Sequence, residues 1–395
     1  MEDKSLIATA KQHGTPSFVF DTDTLRARMG EIRKMMGNIK LCYSIKANPF
    51  LVNEMAELTD MLEVCSPGEM NICKRQQINS AKIILSGVCK TREDVEDAIT
   101  AKVAIYTAES KSQLEIINNT ALAKGLVLPV LLRLTSGSQF GMDEKALREI
   151  IKHKEMYGGV QLDGIHYFAG TQRKKTDIAK SEISYLAKIC QSLYNDYGFT
   201  VNKLEYGAGL SVPYFEGDDF TDTLKPLREI LPYLNTLAQT APLTVEMGRF
   251  FVSDCGYYLT DIVDIKQNDD NLYAFCNGGI NHINYIGGTM GMKIPIIRHF
   301  ALKSGNDKQS YSLCGSLCTT ADILVRKKEF TSLNIGDTLC FCNIGAYSVT
   351  EGLYLFLSRR LPKILLYSQA HGIITARDFY DTDILNSGGM TKWTE

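Results

Sequence analysis

The sequence predicts an α/β protein: a closed parallel (β/α)8 barrel of the TIM type, followed by a C-terminal β domain built as a sandwich or small barrel. Short apolar, β-branched runs alternate about eight times with longer segments of helical spacing over the first 250 residues. That is the rhythm of a closed parallel barrel, although an open doubly wound sheet has a similar pattern. After roughly residue 250 the rhythm changes to strands joined by turn signals. The expected division is therefore a barrel over 22–250 and a β domain from 1–21 and 251–395.

The barrel strands are read at LCYSI (41–45), MLEVC (61–65), KIILSG (82–87), VAIYT (103–107), PVLLRL (129–134), DGIHYF (163–168), KLEYG (203–207) and LTVEM (243–247). Helical spacing fills LRARMGEIRKMMG before the first strand, then LVNEMAELTDM, REDVEDAITA, KSQLEIINNTALAKG and SEISYLAKICQSLYNDYGF between later ones. In the last third, FVSDCGYYLTDIVDIKQNDDNLYAFCNGG reads as strands joined by Asn-Asp-Asp-Asn. SLCGSLC, GDTLCFCNIGAY and PKILLYS are further strand-like runs, and FVFD (18–21) is expected to pair with them.

The chain has 395 residues, 45% hydrophobic and 22% charged, with a formal net charge of −2. That balance gives no electrostatic reason to bind nucleic acid or an anionic membrane. No run approaches the roughly 20 apolar residues needed to span a bilayer, and MEDKSLIATAKQHG lacks the features of a signal peptide. Eleven irregularly spaced cysteines read as reduced thiols of a cytoplasmic protein.

Barrel enzymes carry their chemistry at the C-terminal ends of the strands. Lys46 falls there, after LCYSI and before Ala-Asn-Pro. A lysine ending a buried strand is desolvated, which makes it a better Schiff-base nucleophile; its bland reading is a lysine snorkelling at the rim. Other marked segments are GIHYFAGTQ with His166, Gly207-Ala208-Gly209-Leu210, Glu246-Met247-Gly248-Arg249, Gly315 to Asp322 with Cys318, Gly345-Ala346-Tyr347, and SRRLPKI (358–364). Taken singly, these read as a core histidine, a turn, a strand-end salt bridge and a buried thiol. Cys314, Cys318, Cys340 and Cys342 lack the paired Cys-x2-Cys spacing of a zinc knuckle, so no metal is expected.

In this order the segments resemble those of the fold-type III pyridoxal-phosphate decarboxylases, the group containing diaminopimelate, ornithine and arginine decarboxylases. That family has an alanine-racemase-like barrel followed by a β domain, and the likeness runs over nearly the whole chain. It implies that Lys46 carries pyridoxal 5′-phosphate, that His166 stacks on its ring and that Glu246 bonds its pyridine nitrogen. It gives the phosphate to Gly207, Ala208 and Gly209, with Gly248, Arg249 and Tyr347 completing the cofactor site. Cys318 is expected to reach the neighbouring subunit's site and, with Lys46, to return a proton to Cα, which implies a head-to-tail homodimer.

Thr171, Ala208 and Met247 are mild departures from the family motifs. Two others bear on the substrate, whose expected contacts are Arg249, Tyr285, Thr319 and Tyr347. Thr319 stands where diaminopimelate decarboxylases carry a glutamate for the distal amine, and Tyr285 where they carry an arginine for the distal carboxylate. Losing such charges weakens binding by several kcal/mol. The expected activity is decarboxylation of an amino acid other than free diaminopimelate, such as a glutamyl unit tethered to an acyl-carrier protein. The alternatives are decarboxylation of free diaminopimelate, ornithine or lysine, and racemisation, which needs a second base that the Cys318 motif disfavours. A regulatory or cofactor-carrying relative without catalysis would tend to lack Lys46, Cys318 or the β domain.

Overall fold

The computed structural model describes residues 1–285 and 290–388. Residues 286–289 and 389–395, assigned above to the β domain, lie outside the described residues. The chain forms two compact units, Arg28–Val212 with Thr221–Phe251, and Met1–Ala27 with Pro213–Phe220 and Val252–Glu395.

The first unit is a closed barrel of eight parallel strands. Numbering strands along the whole chain, with β1 at Ser17–Asp21, its members are β2 (Lys40–Ser44), β3 (Met61–Val64), β4 (Ile83–Leu85), β5 (Ile105–Ala108), β6 (Leu128–Leu134), β7 (Val160–Phe168), β8 (Lys203–Gly207) and β9 (Leu243–Met247). All eight fall on the apolar runs read from the sequence, because a parallel barrel strand is covered on both faces. Pairing of Leu41 with Val245 closes the ring. Cys42, Ile84, Ile105 and Leu131 pack one interior layer.

Helix starts follow local chemistry. Ser66 caps Pro67–Arg75 by accepting from the Glu69 N–H, and Thr91 with Asp94 forms a capping box on Arg92–Ala101. The helix at Lys225–Thr240, unread in the sequence, has a proline in its first turn and Pro232 inside it. FVSDC was expected as strand but is helical, Arg249–Val252 followed by a 3-10 turn at Ser253–Cys255.

The second unit is rich in sheet, with β10 (Gly256–Asn268), β11 (Asn271–Cys276), β12 (Ile297–Phe300), β13 (Lys308–Cys314), β14 (Ile323–Thr331), β15 (Thr338–Cys342), β16 (Lys363–Ser368) and β17 (Gly372–Arg377). Strand β10 shifts register between Ile262 and Asp264. Its first half pairs with β1 and β15, its second half with β11, so one long strand serves two sub-sheets. The N-terminal strand lies between β10 and β16, as FVFD suggested. Leu6, Val19, Leu259, Phe300 and Leu365 share a core beneath it, each burial stabilising by about 1.5–3 kcal/mol.

Candidate active site

Strand register gathers the polar groups of the barrel. Ser44 is opposite Glu63, Cys42 opposite Glu246, and His166 opposite Glu205, so residues of β2, β3, β7, β8 and β9 meet inside the ring. Glu63, Glu205, Glu246 and His166 are at most 2% exposed. Charged groups so deeply buried persist only when paired or functional.

Lys46 is the cation of this cluster. Its Nζ lies 2.8 Å from Glu63 Oε2, 3.8 Å from Glu246 Oε1 and 3.6 Å from Cys65 Sγ. The side chain is 37% exposed, so the complete desolvation expected for a strand-end lysine is not found. Strand β2 ends at Ser44, and a 3-10 turn over Ile45–Ala47 lifts the lysine to the rim. Ser44 Oγ lies 2.6 Å from Glu246 and also contacts Glu63, its single proton serving one carboxylate at a time.

Burial would push Glu63 upward, but the charges of Lys46 and His166 outweigh it and hold its carboxyl well below the usual range. Glu205 goes the other way. Burial pushes it up to about 7, with His166 opposing and Glu246 and Glu63 adding to the rise. No N–H or O–H group reaches either Glu205 oxygen among the described residues. Burial lowers His166, yet Glu205 and Glu246 raise it overall. His166 Nε2 meets Glu246 Oε2 at 3.1 Å, while its Nδ1 has no partner. Glu63, His166 and Glu246 present atoms within 4.8 Å of one another, a set a cation could use; the Lys46 ammonium already answers two of them.

The Gly207-Ala208-Gly209 loop follows β8. The Gly207 and Gly209 carbonyls accept from the Ala169 and Arg173 N–H groups at 3.0 Å. Gly209 has φ +60°, and a Cβ there would collide with the Gly170 carbonyl. Gly248 sits against Ala47, and the following Arg249 is 8% exposed, with Nε 3.4 Å from Thr171 Oγ1. The structure thus brings together Lys46, His166, Glu246 and the neighbouring residues Glu63, Glu205 and Ser44, which the sequence reading missed. Their signal was a carboxylate inside each of the apolar runs MLEVC and KLEYG.

In the second unit Cys318 is exposed on a tight loop after β13. Asp322 holds that loop by accepting from the Leu317 and Ile280 N–H groups at 2.7 and 2.9 Å. A Cβ at Gly315 would run into that carboxylate. Thr319 is half-buried beside Cys318. Tyr347 is half-buried at φ +67°, a conformation uncommon outside glycine. Tyr285, expected above at the substrate, lies in the core of this unit. It is 1% exposed, its hydroxyl donates to the Cys342 carbonyl at 2.6 Å, and its ring packs on Tyr214 and Phe215. It is a core residue, turned inward by its aromatic neighbours.

A parallel eight-stranded barrel with a rim lysine set among buried carboxylates and a histidine has the layout of a barrel enzyme site, with an amine placed to take a carbonyl group covalently. Residues 22–253 match the family described as pyridoxal-dependent decarboxylase, pyridoxal binding domain. The chain belongs to that family and is a pyridoxal-dependent decarboxylase, a lyase of amino acids. It is 25% identical to the L-glutamyl-(BtrI acyl-carrier protein) decarboxylase of Niallia circulans, covering 99% of this chain and 98% of that one. It is 24% identical to the diaminopimelate decarboxylase of Aquifex aeolicus, covering 96% and 93%. The crystal structure of diaminopimelate decarboxylase from M. jannaschii superposes with a TM-score of 0.86 at 23% identity, over 98% of this chain and 94% of that one. No helix among the described residues is long and apolar enough to cross a membrane.

Proposed function

We propose that this decarboxylase acts on an amino acid whose distal carboxylate is masked, a glutamyl unit tethered to an acyl-carrier protein being the case its likeness to the Niallia circulans enzyme favours. The observation that carries the reading is the lack of charge at two positions. Thr319 offers no carboxylate for a distal amine, and Tyr285, buried and bonded to Cys342, offers no guanidinium for a distal acid.

The residues fit pyridoxal 5′-phosphate. Lys46 would hold it covalently, the small Gly207–Gly209 loop with Arg249 would take its phosphate, and Glu246 and His166 would face its ring. The close-packed Gly209, the unpartnered His166 Nδ1 and three buried carboxylates suit a cationic ring with an anionic tail. When bound, the cofactor supplies the sink for the electron pair left as carboxylate departs. Glu246 keeps a proton on the ring nitrogen, Glu63 orients the Lys46 amine, and Arg249 anchors an anionic oxygen. Cys318 of a neighbouring subunit, or Lys46, delivers the proton to Cα, which makes the working form a homodimer with shared sites. No disulfide joins any of the eleven cysteines among the described residues, in keeping with a reducing, cytoplasmic setting.

The test is CO2 release by the pyridoxal-phosphate-loaded protein, with carrier-tethered glutamate, free glutamate, diaminopimelate, ornithine and lysine in parallel. Release from the tethered substrate alone is expected. Comparable turnover of a free diamino acid would overturn the masked-carboxylate reading.

A further inference from the structure

Lys266 and Asn268 on β10, Asn271, Tyr273 and Phe275 on β11, and Ser312 and Cys314 on β13 are register partners or alternate residues of paired strands. Their side chains therefore share one face of the sheet. Two cavities open there and adjoin at Tyr273 and Ile323, which line both. The first, about 570 Å³, holds Cys318, Thr319 and Lys266. The second, about 540 Å³, is lined by Lys293, Arg326 and Lys327 and by no carboxylate.

Asp322 is the one acid lining the first cavity, and it is 3% exposed and engaged by two backbone N–H groups. The Lys266 ammonium stands 4.3 Å from the Phe275 ring centre and that of Lys293 5.1 Å from the Phe215 ring. None of Lys266, Lys293, Arg326 and Lys327 makes an ion pair among the described residues. A groove with a thiol and a threonine at one end, aromatic walls between, and three cations at the other suits a slender ligand with an anionic far end.

We propose that this groove binds the phosphate-bearing arm of a tethered substrate. The aminoacyl end lies at Cys318 and Thr319, and the phosphodiester at Lys293, Arg326 and Lys327. The proposal rests on the carrier-tethered reading above, since carrier proteins hold an acyl group as a thioester on a phosphopantetheine arm. The cations give the site charge complementarity to the arm that a free amino acid cannot exploit.

The experiment compares kcat/KM of the holoenzyme for glutamyl thioesters of the carrier protein, of phosphopantetheine alone and of pantetheine without phosphate. The Arg326→Ala/Lys327→Ala double variant and Lys293→Glu are measured alongside. The native enzyme is expected to prefer the phosphorylated small thioester by about tenfold, through KM. The variants should lose that preference and keep their rate with the pantetheine thioester, which also shows that they fold. An unchanged preference in both variants would overturn the proposal. So would a loss confined to the carrier-protein form, which would assign the cations to an acidic protein surface. Turnover of a free amino acid but of no thioester would instead remove the carrier-tethered reading itself, and the groove with it.

Discussion

The barrel interior and the open face of the β domain differ in burial and in the sign of their charge. Inside the barrel, three carboxylates and a histidine at most 2% exposed surround a single ammonium. On the β domain, Cys318 is exposed, Thr319 half-buried, and the cavity walls carry Lys266, Lys293, Arg326 and Lys327. Buried ionic networks resist piecemeal change, because removing one partner strands another. An open face tolerates exchange, so the barrel is suited to hold the shared chemistry and the β face to set what is decarboxylated.

Mutations in the barrel should then abolish activity whatever the substrate. Lys46→Ala is expected to lower kcat by about 10^4-fold or more, with loss of the long-wavelength absorbance of the bound cofactor. It also leaves Glu63 buried without the cation now 2.8 Å away. Glu246→Gln should lower kcat by roughly 10²–10³-fold with little change in KM, as for loss of one preorganised electrostatic partner. Steady-state kinetics on two substrates would check both. A substrate-dependent loss in either variant would break the contrast.

On the β face, Thr319→Glu should alter selectivity and leave the barrel chemistry intact. A carboxylate there can accept from a distal ammonium, and a charge-assisted hydrogen bond contributes about 1.5–3 kcal/mol. Turnover of a free diamino acid is expected to rise about tenfold, read as kcat/KM against the tethered substrate. An unchanged ratio would show that Thr319 does not face the substrate.

Legibility in the sequence follows the same contrast. The barrel strands were readable because two-sided burial leaves continuous apolar runs, and Lys46, His166 and Glu246 because they sit in ordered motifs at strand ends. Glu63 and Glu205 were overlooked because one carboxylate hardly disturbs an apolar run, although an acid within a buried strand is itself a signal. The burial of Tyr285 was not legible because its place in a motif does not say which way its ring turns; the Tyr214 and Phe215 rings decide that. The cationic groove draws on β10, β11, β14 and the segment at Lys293, and no linear pattern joins them.

Glu205→Gln tests the barrel network by its smallest expected effect. The Glu205 carboxyl is raised to about 7 in the fold, from 4.5. Between those values the unfolded chain releases the proton while the folded protein keeps it. The folded state then binds more protons, so its stability falls as pH rises through that window and levels off above it. A glutamine cannot titrate and loses this slope. Thermal melting of the apoprotein should therefore show the variant gaining on the native chain between pH 5 and pH 7.5, by on the order of 1 kcal/mol for a group this strongly linked to its neighbours. An equal difference at both pH values would mean that Glu205 is already ionised in the fold. The buried carboxylates would then be balanced by Lys46 and His166 alone, and the barrel would carry more negative charge toward the cofactor than its geometry implies.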